Sequence, residues 1–167
     1  MTISNVFAFD IETVPDVEFG RRLHGLEGLT DKQVGYVMQT RQREQTGSEF
    51  LSLEQQRVVA ISVAMRTRDG FKAWSLGEAD SDEAELVRRF FDGIERFTPT
   101  LVSWNGSGFD LPVLHYRALR RETSTTVLPR YTTCVVGSRD GSPALRPGTT
   151  TPHNEAGSQA LIHQIGS

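Results

Sequence analysis

The sequence predicts an α/β fold in which a mixed central sheet is flanked by helices. Apolar or alternating β-prone runs are separated by segments whose apolar residues recur at helical spacing. The early strands are joined by a hairpin signal, Asp69-Gly70, which favours an antiparallel pair. The last predicted strand is reached through a helical segment, so the sheet is expected to combine both strand directions.

Four segments are predicted as strands and three as helices. The strands are Ile3 to Asp10, Arg57 to Arg66, Phe71 to Leu76 and Thr100 to Ser103. The first helix starts in a capping-box pattern, Thr30-x-x-Gln33, and runs to about Gln45 before Gly47; its thin apolar stripe predicts a surface insertion. The second opens at Asp82 and presents an apolar face, and the third spans Asp110 to Arg121.

The first strand carries two carboxylates in residues 7–13, FAFDIET. On a β-strand the side chains of residues i and i+2 share a face, so Asp10 and Glu12 are expected to project together from the strand's C-terminal end. Two like charges this close are unfavourable unless a positive charge lies between them. Mg²⁺ and Mn²⁺ prefer such oxygen ligands. The pair indicates a metal site, although an Asp-x-Glu tripeptide also occurs by chance on solvated surfaces.

A second candidate segment comprises residues 103–114, SWNGSGFDLPVL. Its Gly-Ser-Gly turn ends the preceding strand, and a helix is predicted to begin near Asp110, with Pro112 in the first turn. Asp110 fits two roles, a helix N-cap and a metal ligand. The roles are compatible, because a carboxylate at a helix start can face outward into a cleft.

Together these segments resemble the DEDD (DnaQ-like) superfamily of 3′–5′ exonucleases, which has a ribonuclease H-like fold. The resemblance is closest to the proofreading-type exonuclease of family-B DNA polymerases and its stand-alone predicted bacterial relatives. The FDIET stretch at 9–13 matches the first exonuclease motif, and Trp104-Asn105 with FDLP at 109–112 matches the second. QRVVAISV at 56–63 matches the second core strand. The resemblance spans about residues 3–122.

The resemblance implies hydrolysis of phosphodiester bonds with two divalent metal ions, Mg²⁺ or Mn²⁺. It assigns catalytic and metal-binding roles to three carboxylates, Asp10, Glu12 and Asp110. It also implies that three further residues contact the substrate: Thr13, Asn105 and Phe109. Phe109 fits base stacking and ordinary core packing equally well. The implied partner is the 3′ end of single-stranded DNA or RNA, and nothing in the sequence chooses between the two or names a polymerase or repair partner.

The third motif of the superfamily, a Tyr or His four residues before an Asp, is absent from the sequence. Asp140 is the only Asp after residue 122 and lies in a turn-like GSRDG context. Residues 123–167 are rich in Thr, Ser, Gly and Pro and show no helical or strand period. We therefore predict an incomplete exonuclease domain at 1–122, truncated at its C-terminal side. The tail at 123–167 is interpreted as disordered, or as non-native after a reading-frame shift.

The expected activity is a metal-dependent 3′–5′ exonuclease, impaired by the missing acid. The alternative is a non-catalytic nucleic-acid-binding domain that keeps the fold. A net charge of −3 argues against a protein that coats nucleic acid, but local basic groups exist at Arg88-Arg89 and at Arg117, Arg120 and Arg121. Each of these residues is expected either to meet phosphates or to lie on a solvated helix face.

Cysteine content and hydropathy indicate in which cellular compartment the protein is expected. Cys134 is the single cysteine, so no intrachain disulfide can form, which fits a reducing cytoplasm. No stretch approaches the 18 or so apolar residues of a membrane span, and the N-terminal residues do not form a signal peptide. The sequence predicts a cytoplasmic protein with no membrane contact.

Overall fold

The structure is a computed structural model that describes residues 5–78 and 80–120, together with the backbone of 132–135. Its strands are β1 (Val6–Pro15), β2 (Gln56–Thr67), β3 (Gly70–Ser75), β4 (Thr100–Ser103) and β5 (Thr132–Val135). Its helices are α1 (Val17–His24), α2 (Asp31–Thr46), α3 (Glu83–Phe97) and α4 (Asp110–Arg120). A single 3₁₀ turn at Leu53–Gln55 leads into β2.

The strands form one mixed sheet in the order β3-β2-β1-β4-β5. β1 pairs with β2 and β2 with β3 in antiparallel fashion, whereas β4 runs parallel to β1, and β5 parallel to β4. The helix α3 makes the crossover that a parallel β4 requires. The chain therefore has the predicted ribonuclease H-like fold, a mixed sheet flanked by helices.

The main core lies between the sheet and the buried faces of α3 and α4. Phe90 of α3 is fully buried and packs its ring against Phe7 and Phe9 of β1, at centroid distances of 5.9 and 4.9 Å. Burying an aromatic side chain of this kind contributes about 1.5–3 kcal/mol. On α4, Leu111 and Leu114 are buried and pack into the same core. These contacts fix β1 and α4, the two elements that carry the candidate acids.

The strand β1 differs from its prediction. It continues to Pro15, five residues past the predicted end at Asp10, so Asp10 and Glu12 lie within the strand and not at its C-terminal end. The physical reason is pairing, because β2 is long enough to match β1 as far as Pro15, across an irregularity between Glu12 and Thr13. The prediction that Asp10 and Glu12 share a face is confirmed, since both are exposed and the intervening Ile11 is buried.

Residues 16–55 form a helical insertion between β1 and β2, whose ends are joined by a 2.8 Å hydrogen bond from Asp16 N–H to the Gln55 carbonyl. The sequence predicted α2 with its capping box and Gly47 stop, but not the short helix α1. The insertion is more than a surface feature, because Val34 and Met38 are buried in a second small cluster.

The predicted tail at 123–167 contains β5, which extends the sheet beyond the predicted boundary at residue 122. A four-residue strand of Thr, Cys and Val is too short to show a clear alternation of apolar and polar residues, so it could not be recognised within a Thr-rich segment. The other residues of the tail, 123–131 and 136–167, lie outside the described residues, as do residues 121 and 122. Among the helices that are described, none is long and apolar enough to cross a membrane.

Candidate active site

The first part of the site is the exposed face of β1. β4 pairs with β1 only along Val6–Ala8, so Asp10 lies just beyond the point where the parallel neighbour ends. Beyond that point the site-facing edge of β1 is not covered by β4, and Asp10 and Glu12 remain exposed while still held in register by β2. This arrangement resembles the crevice at the carboxyl ends of parallel strands, where open α/β sheets bind ligands.

The second part is the turn between β4 and α4. Asn105 has a left-handed backbone, with φ = 57°, a conformation that Asn tolerates better than most residues. Its carbonyl accepts hydrogen bonds from the N–H groups of Gly108 and Phe109, at 2.9 and 3.0 Å. A Cβ at Gly108 would lie 2.5 Å from the Asn105 side-chain oxygen, so a larger residue there would displace the Asn105 side chain. The turn fixes where α4 begins.

Asp110 is the first residue of α4 and is 3% exposed. The Ser103 hydroxyl donates a 2.8 Å hydrogen bond to its Oδ2. Burial raises the pKa of Asp110 above its usual 3.8, and the negative charge of Asp10 raises this pKa further. The Ser103 hydroxyl and the backbone N–H groups of Asp110 and Ile11 oppose that rise. Asp110 is thus a buried carboxyl that feels the charge of Asp10 on β1.

The three carboxylates line one open cleft of about 460 Å³. Its other lining residues include three aromatic side chains, Phe50, Trp104 and Phe109. No Lys or Arg belongs to this lining among the described residues. The cleft therefore combines acidic oxygen atoms with aromatic surface, and its own side chains supply no positive charge.

The three predicted substrate contacts have different surroundings. Asn105 and Phe109 line the cleft, whereas Thr13 does not belong to its lining. The Thr13 hydroxyl donates a 3.0 Å hydrogen bond to the side-chain oxygen of Gln56. Phe109 is half-buried, packs against the main core and also contacts Phe50 at a centroid distance of 5.3 Å. Core packing of Phe109 is thus observed, while base stacking by the same residue stays a prediction.

The donor chemistry fits a divalent ion, because carboxylate oxygens are the ligands that Mg²⁺ and Mn²⁺ prefer. Asp10 and Asp110 are coupled by charge, as expected for two ligands of a shared cation. Within residues 5–78 and 80–120, however, no three Asp, Glu, His or Cys side chains converge closely enough to hold a metal ion. The structure brings Asp10, Glu12 and Asp110 to one cleft but does not assemble them into a three-ligand cluster.

The basic residues predicted as phosphate contacts have other partners. Arg117 is 1% exposed and forms ion pairs with Asp16, at 2.6 Å, and with Glu83. Arg120 also contacts Asp16, at 2.7 Å. The expectation that Arg117 meets phosphates or lies on a solvated face is wrong, because helical spacing alone does not reveal two buried acids supplied by distant segments. Arg121 lies outside the described residues.

Arg88 and Arg89 lie on α3, where each pairs with an acid one turn away on the same helix. The pairs are Arg88 with Asp92, at 2.7 Å, and Arg89 with Glu85, at 2.6 Å. Exposed pairs of this kind contribute little to stability. Their position favours the solvated-face interpretation over a phosphate contact.

Two features of the site were missed from the sequence. Ser103, which holds Asp110, ends a β-strand and is marked only by its place seven residues before the acid. Phe50 comes from the insertion and lines the cleft. In the sequence it is a single aromatic residue at the end of the polar stretch TGSEF, which is only a weak sign that its side chain is exposed for a functional reason. Ser103 depends on the shape of the turn between β4 and α4, and Phe50 depends on distant segments that meet only in the folded chain.

Comparison with known proteins assigns this chain to a family. A family model described as a predicted 3′–5′ exonuclease related to the exonuclease domain of PolB matches residues 48–135, slightly more than half of the 167-residue chain. The chain belongs to this family. The PolB-related match includes the turn with Asn105 and Asp110 and the strand β5, while Asp10 and Glu12 precede it. The match also extends past the predicted domain boundary at residue 122.

Two proteins with similarity to this chain are DNA polymerases. DNA polymerase 1 of Sulfurisphaera ohwakuensis is 40% identical over 52 residues, which cover 31% of this chain and 6% of that protein. The structure of the family B DNA polymerase of Pyrobaculum calidifontis aligns with a TM-score of 0.42 and 22% identity, covering 72% of this chain and 11% of that one. The PolB-related chain therefore spans only a small part of either polymerase.

Proposed function

We propose that this chain is a metal-dependent 3′–5′ exonuclease domain that hydrolyses phosphodiester bonds at single-stranded nucleic acid ends. The observation that carries the proposal is the meeting of Asp10 and Glu12 from β1 with Asp110 from α4 in one cleft. Membership of the PolB-related family gives this acidic cleft a reaction class. The raised pKa of Asp110 beside Asp10 supports a site designed to receive positive charge.

Three carboxylates would hold the ions in this proposal: Asp10, Glu12 and Asp110. Divalent ions, when bound, supply Lewis-acid stabilisation of the reacting phosphate and activate water. Glu12 shares the exposed face of β1 with Asp10 and lines the same cleft as the two aspartates. Ser103 keeps the Asp110 carboxylate oriented toward β1 through its 2.8 Å hydrogen bond.

The remaining proposed roles concern the substrate strand. Asn105 and Phe109 line the cleft beside the acids and are proposed to contact the terminal nucleotides. Thr13 is proposed to contact the 3′-terminal nucleotide, and its hydroxyl is at present oriented toward Gln56. The proposed location is the cytoplasm, as the cysteine content predicts.

A non-catalytic nucleic-acid-binding domain is the second candidate. One observation favours it: the sequence contains no Tyr or His four residues before an Asp, so the resemblance lacks its fourth acid. A second observation that favours this candidate is that the carboxylates of the described residues do not form a three-ligand cluster. In this candidate the cleft binds a strand end without cutting it.

The deciding experiment is Mn²⁺-dependent trimming of a 5′-labelled single-stranded oligonucleotide by the full chain and by Asp10→Ala. A ladder of products shortened from the 3′ end, lost in the variant, would support the exonuclease. Binding of the oligonucleotide without any ladder would support the non-catalytic domain. Absence of both binding and trimming would contradict both candidates. Asp69→Ala, in the exposed hairpin between β2 and β3, is the control for a lost carboxylate elsewhere.

A further inference from the structure

We infer that Phe50, supplied by the helical insertion, is a nucleobase-stacking residue of the cleft and that it works with Trp104 to bind an unpaired base. This inference rests on the proposed function and adds a substrate contact that the exonuclease motifs do not contain. Phe50 lies 40 residues after Asp10 and in a different part of the fold. It reaches the acids only because the insertion folds back beside β1.

The charge of the cleft is the first argument. Its described lining holds three carboxylates and no Lys or Arg, so side chains there repel a phosphate backbone. Much of the affinity for a nucleic acid end is then expected to come from bound cations and from the bases. Aromatic stacking contributes base affinity without regard to sequence, because every base has a π-face.

The exposure of the aromatic residues is the second argument. Phe50 and Trp104 are each 61% exposed, whereas Phe109 is half-buried against the main core. The ring of Phe109 contacts that of Phe50 at 5.3 Å and a tilt of 55°. Phe109 thus supports Phe50 from the core side, and most of the aromatic surface that is exposed in the cleft belongs to Phe50 and Trp104.

The third argument is that Phe50 is held in place although it is exposed. Its neighbour Leu51 is 3% exposed and packs with Val34 and Met38 of the insertion. The Leu51 carbonyl accepts a 2.9 Å hydrogen bond from the buried side-chain amide of Gln56. A ring fixed before binding loses little conformational freedom when a base stacks on it.

The same amide links the insertion to the first motif. Gln56 donates to Leu51 and accepts a hydrogen bond from the Thr13 hydroxyl. Thr13 follows Asp10 and Glu12 on β1, so this chain of contacts sets the position of Phe50 relative to the acids. A flexible apolar side chain on an unsupported loop would lack this connection.

The test compares binding of two 5′-fluorescein oligothymidylates, one intact and one whose 3′-terminal nucleotide is abasic, by fluorescence anisotropy. Both carry phosphorothioate linkages at the 3′ end to slow hydrolysis, and Mn²⁺ is present. The wild type is expected to bind the intact strand about 5- to 150-fold more tightly than the abasic one. Phe50→Ala and Phe50→Leu should lose most of this preference, because only Trp104 is left to stack on the base, and Phe50→Trp should restore it.

Phe71→Ala is the matched control, because Phe71 is 71% exposed on β3 and does not belong to the lining of the cleft. It should keep the wild-type preference. A Phe50→Ala protein that retains the full preference for the base would overturn the role of Phe50 and leave the proposed nuclease intact. A wild type that binds neither strand and trims nothing would overturn both. Loss of the preference in Phe71→Ala would show a general effect of apolar surface and would also overturn the inference.

Discussion

At the scale of single residues, Asp110 shows a conflict between stability and chemistry. Its carboxyl group is buried beside the negative charge of Asp10, which raises its pKa and makes the ionised form unfavourable in the folded chain. A folded protein accepts such a cost where a cation is to be bound. The same carboxylate that is proposed to bind metal is therefore expected to destabilise the metal-free protein.

Replacing Asp110 by Asn tests this conflict. The amide keeps an oxygen for the Ser103 hydroxyl and removes the charge. We expect trimming to fall by at least about 10³-fold, because several kcal/mol of transition-state stabilisation are lost. Without metal at neutral pH, the thermal midpoint should rise or stay unchanged. A lowered midpoint in EDTA, measured by circular dichroism, would contradict this account of the carboxyl group.

Two properties could explain why position 105 is an asparagine: its left-handed backbone conformation and the proposed contact of its side chain with the substrate. Asn105→Gly keeps the backbone at φ = 57° and removes the side chain, whereas Asn105→Ala removes the side chain and strains the backbone. If the side chain contacts the strand, both variants should lose oligonucleotide affinity in Mn²⁺. We expect Asn105→Gly to melt at the wild-type temperature and to bind several-fold more weakly, by about 1 kcal/mol for a lost hydrogen bond. Wild-type affinity in Asn105→Gly would assign the residue to the turn alone.

At the scale of elements, a buried ion network joins four parts of the fold. Arg117 of α4 bonds to Asp16, which caps α1, and to Glu83, which starts α3. Glu83 also accepts a 2.7 Å hydrogen bond from the Val58 N–H of β2. The Nε of Arg117 has no partner among the described groups. The network sets how the insertion, the sheet and α4 meet.

Removing one member should be costly because it leaves buried charges unpaired. We expect Arg117→Met to lower the free energy of unfolding by about 3–5 kcal/mol. Replacing all three charged groups, as Asp16→Asn, Glu83→Gln and Arg117→Met together, should recover much of that loss. Denaturant unfolding of the single and triple variants measures both. Equal stability of the single variant and the wild type would contradict the importance of the network.

The network also predicts how stability depends on pH. Burial alone would raise the pKa of Asp16, but the Phe19 N–H, Arg117 and Arg120 together lower it below 3.8. A lowered pKa in the folded state means that this stabilisation is present above the unfolded value of about 3.8 and is lost as pH falls through the folded value.

Asp16→Asn is the matched variant, because Asn also caps a helix. It should be less stable than the wild type at neutral pH, and the two curves should converge as the pH falls below about 3.8. Urea unfolding across that pH range measures the difference. A gap that persists at the lowest pH would show that Asp16 stabilises the fold by something other than its charge.

At the scale of the whole molecule, the sheet reaches Val135, and so does the match to the PolB-related family. The domain therefore includes β5, although the composition changes earlier. We expect a chain ending at residue 135 to melt like the 167-residue chain. A chain ending at residue 120 should melt lower, because β4 loses its hydrogen-bonded neighbour. Equal midpoints for all three, measured by differential scanning calorimetry, would show that β5 adds no stability.

Much of the fold was predictable because local chemistry and periodicity agree. The capping box at Thr30, the stop at Gly47 and the N-cap at Asp82 each depend on a few neighbouring residues, and the structure contains all three. The extension of β1 to Pro15 was not predictable, since it depends on pairing with a strand about 45 residues away. Local pattern fixes element type more reliably than element ends.

The sequence by itself determined the ribonuclease H-like order of elements and the shared face of Asp10 and Glu12, because two-residue periodicity and motif order are properties of the chain. Only the tertiary structure decided that Phe50 stands beside the acids, that Asp110 is buried against Ser103, and that Arg117 pairs with Asp16 and Glu83. The contacts of Phe50 and Arg117 join residues from distant segments, and the Ser103–Asp110 bond requires the turn between β4 and α4, so their energies exist only after the sheet and helices have packed.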